Sequence, residues 1–294
     1  MNHPPAEAAA REAARQLGLS TRSLTTLHTH ATAVFLLPAE DLVLRVSPAV
    51  RITSLTRAVT LMRWLSQHGL PVPEAADLSQ PVLVSGHAVT LWTHYSQRTG
   101  TGTPGAEHLG TLLKQLHALP EPPLDLPAWQ PLSSLHQALK DSTALRDDQK
   151  EWLLTRRAEL LGQYRQLEFP LGTGLLHGDA YPGNCLWDET TSPPTVRLGD
   201  WDEASTGPRE IDLANTYQGV RFGRTEGELS AFSDSYGYDI TTWPGLPVLT
   251  QIRSMHTLGA YIKRADRNDQ RALDQLNFRI STLQSNTAAL WSAT

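Results

Sequence analysis

Residues 175–203 read "LLHGDAYPGNCLWDETTSPPTVRLGDWDE", and the spacing inside this stretch decides the fold. "NCLWD" and "TVRLGDW" are short apolar runs bracketing the turn "ETTSPP", which predicts a hairpin. Pro182 and Gly183 allow a sharp turn between Asp179 and Asn184, and the returning strand brings Asp200 back towards both. Asp, Asn, Pro and Gly are also ordinary turn residues, so the loop alone is equally a plain turn. The spaced Asp200, and Asp212 in a following helix, weigh against that plainer reading. Phosphoryl transfer to a hydroxyl needs a carboxylate to orient the proton and hard oxygen donors to hold Mg²⁺. Two acids and an amide at this spacing supply that set.

Outward from this stretch, the first ninety-odd residues are strand-rich. "TAVFLLP" and "DLVLRVS" form one predicted hairpin, and "PVLVSGHAVTLW" contributes two further strands. Between them Leu55, Val59, Met62 and Leu65 recur at helical spacing until Gly69 and Pro71 stop the helix. After "THYSQRTGTGTPG" the pattern turns helical, clearest in "AEHLGTLLKQLHAL" and "QKEWLLTRRAELLGQYRQLE", and two long helices are expected in residues 245–265 and 269–291. The expected division is 1–95 and 96–294. "GTGTPG", residues 100–105, fits a glycine-rich phosphate motif but stands too far from the preceding strand, and reads as a loop.

"HGDAYPGN" and "LGDWDE", with the weaker "HGLPVPE", "LHALP" and "EIDLA", resemble the aminoglycoside phosphotransferase and choline kinase family. The resemblance implies an α+β, two-lobed, protein-kinase-like fold. Its small β-rich N-terminal lobe would bind ATP or GTP, and its larger, mainly helical C-terminal lobe would carry catalysis and the acceptor. It implies Asp179 as catalytic base, Asn184 and Asp200 as Mg²⁺ ligands, and Asp212 as an acid bracing the loop, with His177 supporting it by hydrogen bonding. Asp202 either faces the acceptor or is structural. The kinase pattern also calls for a strand lysine paired with a helix glutamate. Here no lysine precedes Lys114, Arg45 takes the strand position, and no acid lies between Asp41 and Glu74, so that helix offers no ion-pair partner. His30 and Thr32 in "HTHATAV", together with Trp92, complete the candidate nucleotide contacts. A cage of aromatic rings for a quaternary ammonium is disfavoured, because tryptophan is more often core.

With 25 Lys+Arg against 30 Asp+Glu the formal net charge is -5, without the basic excess of a nucleic-acid binder. The lone Cys185 makes no intrachain disulfide and fits a reducing cytoplasm. The Ala-rich N-terminus, carrying Glu7, Arg11, Glu12 and Arg15, reads as a solvated helix rather than a signal peptide, and no apolar run suits a bilayer. The expectation is a cytoplasmic, Mg²⁺-dependent kinase with a small hydroxylated substrate and neither nucleic-acid nor membrane partner. A protein kinase is less favoured, since Gly178 stands where many carry Arg and no Ala-Pro-Glu segment follows Asp200. Two alternatives remain: a catalytically silent nucleotide-binding module, given the missing Lys and Glu, and a haloacid-dehalogenase-type phosphatase using "VRLGDWDEAST".

Overall fold

Two short, mainly apolar β-prone runs within residues 33–48 set up the first sheet, and helical periodicity dominates after residue 105. The computed structural model describes residues 4–29, 32–97 and 102–292. In chain order the elements are α1 (Pro4–Gln16), β1 (Thr25–Thr29), β2 (Ala33–Leu37), β3 (Leu42–Pro48), α2 (Ile52–Gln67), β4 (Val82–Val84) and β5 (His87–Thr93). There follow α3 (Ala106–Ala118), α4 (Ser133–Asp141), α5 (Asp147–Tyr164), β6 (Thr173–Leu176), β7 (Cys185–Asp188), β8 (Thr195–Leu198) and β9 (Ser205–Pro208). The chain then continues with α6 (Glu210–Gln218), α7 (Glu226–Tyr236), α8 (Leu246–His256), α9 (Leu258–Ala265) and α10 (Gln270–Gln284). These form two units. The first comprises Met1–Pro104, Leu119–Asp125 and Gly183–Asp202; the second comprises Gly105–Ala118, Leu126–Pro182 and Glu203–Thr294.

In the first unit five antiparallel strands run in the order β1-β2-β3-β5-β4, with β3 at the centre. Period-two alternation buries Leu44 and Val46 of β3 on one face, which directs Arg45 to the other. The apolar face is covered by α1. Its Ala6, Ala9, Ala10, Ala13 and Ala14 are buried against Phe35, Leu37, Leu44 and Leu91. The N-terminal helix is therefore not solvated all round, a correction to the sequence reading: its charges face water, while alanines at helical spacing give a smooth stripe that lies close on a sheet. On α2, Leu55, Val59, Met62 and Leu65 are buried as their periodicity predicts, joined by Leu61.

The β7–β8 hairpin also belongs to this unit, with Cys185 opposite Leu198. Arg197 anchors it, donating to the buried Asp188 at 2.7 Å and to the Val72 carbonyl at 2.8 Å while lying over the Tyr95 ring. Among the described residues β8 pairs only with β7, in a two-stranded antiparallel sheet. A nucleophile at the end of a parallel strand, as open α/β sheets carry it, is thus unavailable, and the phosphatase alternative fails.

The second unit is mainly helical, with α3 packed on α7, α6 on α8 and α9 on α10. Gly110 permits the first contact, since a Cβ there would lie 2.5 Å from the Phe232 carbonyl oxygen. The small β6–β9 ladder pairs Leu176 with Ser205 and delivers the chain into residues 177–182. The single helix expected over residues 245–265 is broken into α8 and α9 at Thr257, whose hydroxyl donates back to the Ser254 carbonyl at 2.8 Å, a bond that bends helices.

Candidate active site

The first unit gathers arginines and acids at the hairpin. Beyond the Cys185–Leu198 pair, the Gly199 amide donates to the Asn184 carbonyl at 2.8 Å, so Asn184 and Asp200 emerge side by side at the open end. Asn184 is buried and Asp200 about half exposed. Asp200 has φ 59°, a conformation few non-glycine residues adopt and one that concentrates at functional sites. Arg45 Nη2 stands 3.9 Å from Asp200 Oδ1 and 3.5 Å from Asp202 Oδ2, while Arg51 reaches the same Asp202 oxygen at 3.2 Å. The acid missing from α2 is thus supplied from 157 residues downstream. An amide oxygen and a carboxylate at adjoining strand ends are hard donors of the kind that fits Mg²⁺. Guanidinium groups above them fit phosphate oxygens.

The second unit holds the other half of the loop rigidly. Asp212, fully buried on α6, accepts the His177 amide on Oδ2 and the Gly178 amide on Oδ1, both at 2.8 Å. His117 of α3 lies 3.2 Å from Asp212 through Nε2 and 2.9 Å from the Tyr236 hydroxyl through Nδ1. Burial pushes the Asp212 carboxyl up, but the hydrogen bond and charge of His117, with the influence of His177, outweigh it and hold the carboxyl below its ordinary range. Gly178 has φ 84°, and a Cβ there would lie 2.4 Å from the Glu203 carbonyl oxygen, so only glycine fits. Its own carbonyl accepts from Asn215 at 3.2 Å.

With residues 177 and 178 fixed, Asp179 projects at a partly exposed position and pairs with Arg253 of α8. One turn further, His256 is pushed down to about 4 by burial, reinforced by the Arg253 charge. A small cavity of about 20 Å³ is lined by Trp129, Gly178, Glu203, Asn215, Arg253 and His256 among others. Asp179 lies in the second unit and Asn184 and Asp200 in the first, the chain passing from one to the other at Pro182–Gly183.

The phosphotransferase enzyme family profile matches residues 24–249. The chain belongs to this family. Membership establishes phosphotransferase-type activity in general. Among solved structures, the amicoumacin kinase hAmiN, in complex with AMP-PNP and Ca²⁺, has a TM-score of 0.73 at 18% identity, covering 93% of this chain and 91% of its own. The microcompartment-associated aminopropanol kinase has 0.72 at 16%, covering 94% and 95%. A choline/ethanolamine kinase family protein from Mesorhizobium loti has 0.66 at 17%, covering 95% and 93%. At these identities the likeness speaks for the fold, which is α+β and kinase-like, a β-rich N-terminal lobe followed by a larger helical one. No curated protein matches the sequence.

The other nucleotide candidates fare unevenly in this family member. Trp92 is buried and spends its indole N–H on the Thr90 hydroxyl at 2.9 Å. Thr32 is half-buried just before β2. His30 lies outside the described residues, as do Gly100 and Thr101 of "GTGTPG"; the Gly102 carbonyl accepts from Trp187 at 3.1 Å. Trp201 is buried and donates to the Leu198 carbonyl at 2.7 Å, so it anchors the strand end. Sequence reasoning missed Arg51, Arg253 and His256. It quoted His117 within "LHALP" without giving it a role. Among the described residues no group of three or more His, Cys, Asp or Glu forms a metal cluster, and no helix is long and apolar enough to cross a membrane.

Proposed function

We propose that the chain is a Mg²⁺-dependent kinase that transfers the γ-phosphoryl group of ATP or GTP to a hydroxyl of a small molecule, in the cytoplasm. The observation that carries this reading is the clamping of two consecutive amides, those of His177 and Gly178, on the buried Asp212. That clamp fixes the backbone from which the Asp179 carboxylate projects, as positioning of a general base requires. In this reading Asp179 orients the acceptor hydroxyl and takes its proton, and Arg253 must yield part of its hold on that carboxylate. Asn184 and Asp200 would hold Mg²⁺, which supplies charge neutralisation at the phosphates when bound. Arg45 binds phosphate oxygens, with Thr32, His30 and Trp92 as further candidate nucleotide contacts. His177, buried with its ring nitrogen accepting from the Asp179 amide at 3.3 Å, supports the loop.

The test is ADP release with a panel of hydroxylated amines, sugars and antibiotics. The panel begins with amicoumacin, choline, ethanolamine and aminopropanol, after which the fold's solved relatives are named. Asp179→Asn is expected to lower turnover by roughly 10²- to 10⁴-fold. Nucleotide binding without ADP release for any acceptor would favour the silent module, and turnover unaffected by the substitution would remove Asp179 from the chemistry.

A further inference from the structure

Two guanidinium groups in the first unit converge on one carboxylate oxygen, Arg45 at 3.5 Å and Arg51 at 3.2 Å from Asp202 Oδ2. A single carboxylate cannot neutralise both, and the two cations repel each other at such range. All three side chains keep partial contact with water, at 30%, 38% and 31% exposure, which makes the repulsion tolerable and leaves the group open to an incoming anion. Arg51 does not arrive by chance of a floppy loop. It ends the single turn Ala49–Arg51 ahead of α2, and the Ala49 amide is tied to the Gly86 carbonyl at 2.9 Å.

Charge counting gives the cluster a purpose. Arg45 and Arg51 face Asp202 and, 3.9 Å from Arg45, Asp200. With a divalent ion on Asp200, two arginines and that ion against two carboxylates leave two positive charges, suited to a polyphosphate. A lysine–glutamate pair in place of Arg45, Arg51 and Asp202, with the same ion and Asp200, would leave one. No acid on α2 is available to aim Arg45.

We propose that Arg51 is a second phosphate-binding arginine, and that Asp202 is a positioning residue holding both guanidinium groups in the role a helix glutamate would otherwise fill. This rests on the phosphotransferase reading above. Binding of AMP-PNP, a non-hydrolysable ATP analogue, is compared with binding of adenosine, which has no phosphates. Arg51→Gln is expected to weaken AMP-PNP about tenfold, the scale of one charge-assisted hydrogen bond, and to leave adenosine unchanged. Arg51→Lys keeps the charge without the fork and recovers part of that loss. Asp202→Asn removes a competitor of the phosphates, which keeps KM for ATP level or lower, and leaves both guanidinium groups unaimed, which lowers kcat about tenfold. Wild-type AMP-PNP affinity in Arg51→Gln overturns the arginine assignment, as does parallel weakening of both ligands, the mark of a structural role. A raised KM with unchanged kcat in Asp202→Asn overturns the positioning role. An unmodified protein that binds neither AMP-PNP nor the corresponding GTP analogue sinks the kinase reading itself, a result distinct from a variant that binds normally.

Discussion

The loop held by Asp212 and the cluster around Asp202 each place an acid among cationic or donor groups, yet they solve opposite problems. Asp212 is wholly buried and accepts two backbone amides while His117 stands beside it. Asp202 is partly exposed and shared between two arginines. In low dielectric a satisfied acid fixes geometry, because losing any partner leaves a buried charge unpaired. Near water the same ion pair contributes little to stability and exchanges partners easily. The first arrangement suits a backbone that must not move, and the second suits side chains that must let go of one anion to hold another.

The strongest way to break this contrast is Asp212→Ala. The substitution leaves the His177 and Gly178 amides without acceptors inside the second unit, at an expected loss of about 3–5 kcal/mol, the range for breaking a buried charged network. Denaturant melts should register that loss, and turnover should fall with it because Asp179 loses its fixed backbone. A variant as stable as the parent would mean that the clamp holds nothing.

Much of this was legible in the sequence because it is local. The Asp179–Asn184 spacing, the hairpin that returns Asp200, and the stop of α2 at Gly69 follow from turn chemistry and periodicity. Asp212 was also marked, through its place in a resembling motif. Partnerships between distant segments were not legible. Nothing in "LVLRVS" says that its arginine meets residues 200 and 202, because local patterning fixes which face a side chain occupies and not which loop comes to cover it. Arg253 and His256, one turn apart in "QIRSMH", read as any solvated helix face. The β6–β9 ladder escaped because "TGLL" and "STGP" contain glycine and proline instead of a β-branched run. The alanine stripe of α1 was present but was outweighed by the charges beside it.

A smaller effect sharpens the contrast from the buried side. His256 is neutral in the folded second unit, with its pKa pushed down to about 4 by burial and then by Arg253, against an ordinary value of 6.5. Between those two values the unfolded chain binds a proton that the folded chain does not. Stability therefore rises with pH across this window and is lost as pH falls, by about 3 kcal/mol in full. Below about 4 the folded state titrates as well and the loss levels off. His256→Gln should lose that much less than the parent between pH 7 and pH 4 in denaturant melts, the comparison cancelling the carboxylates common to both. Identical pH profiles would show that the imidazole is not protected from protons.

The smallest expected effect tests the exposed side. Arg45→Gln removes a guanidinium that is about a third exposed and leaves Asp202 with Arg51 as a partner. Its hydrophobic neighbours on β3, Leu44 and Val46, face the opposite side of the sheet and are untouched. The change in stability should stay within about 1 kcal/mol, as for exposed ion pairs, and shrink further in high salt. Thermal melts at two ionic strengths measure both. A loss of several kcal/mol, insensitive to salt, would place Arg45 among the groups that hold the sheet together. The two acids would then differ in burial alone, and the notion of an exchangeable cluster awaiting an anion would have no support from energetics.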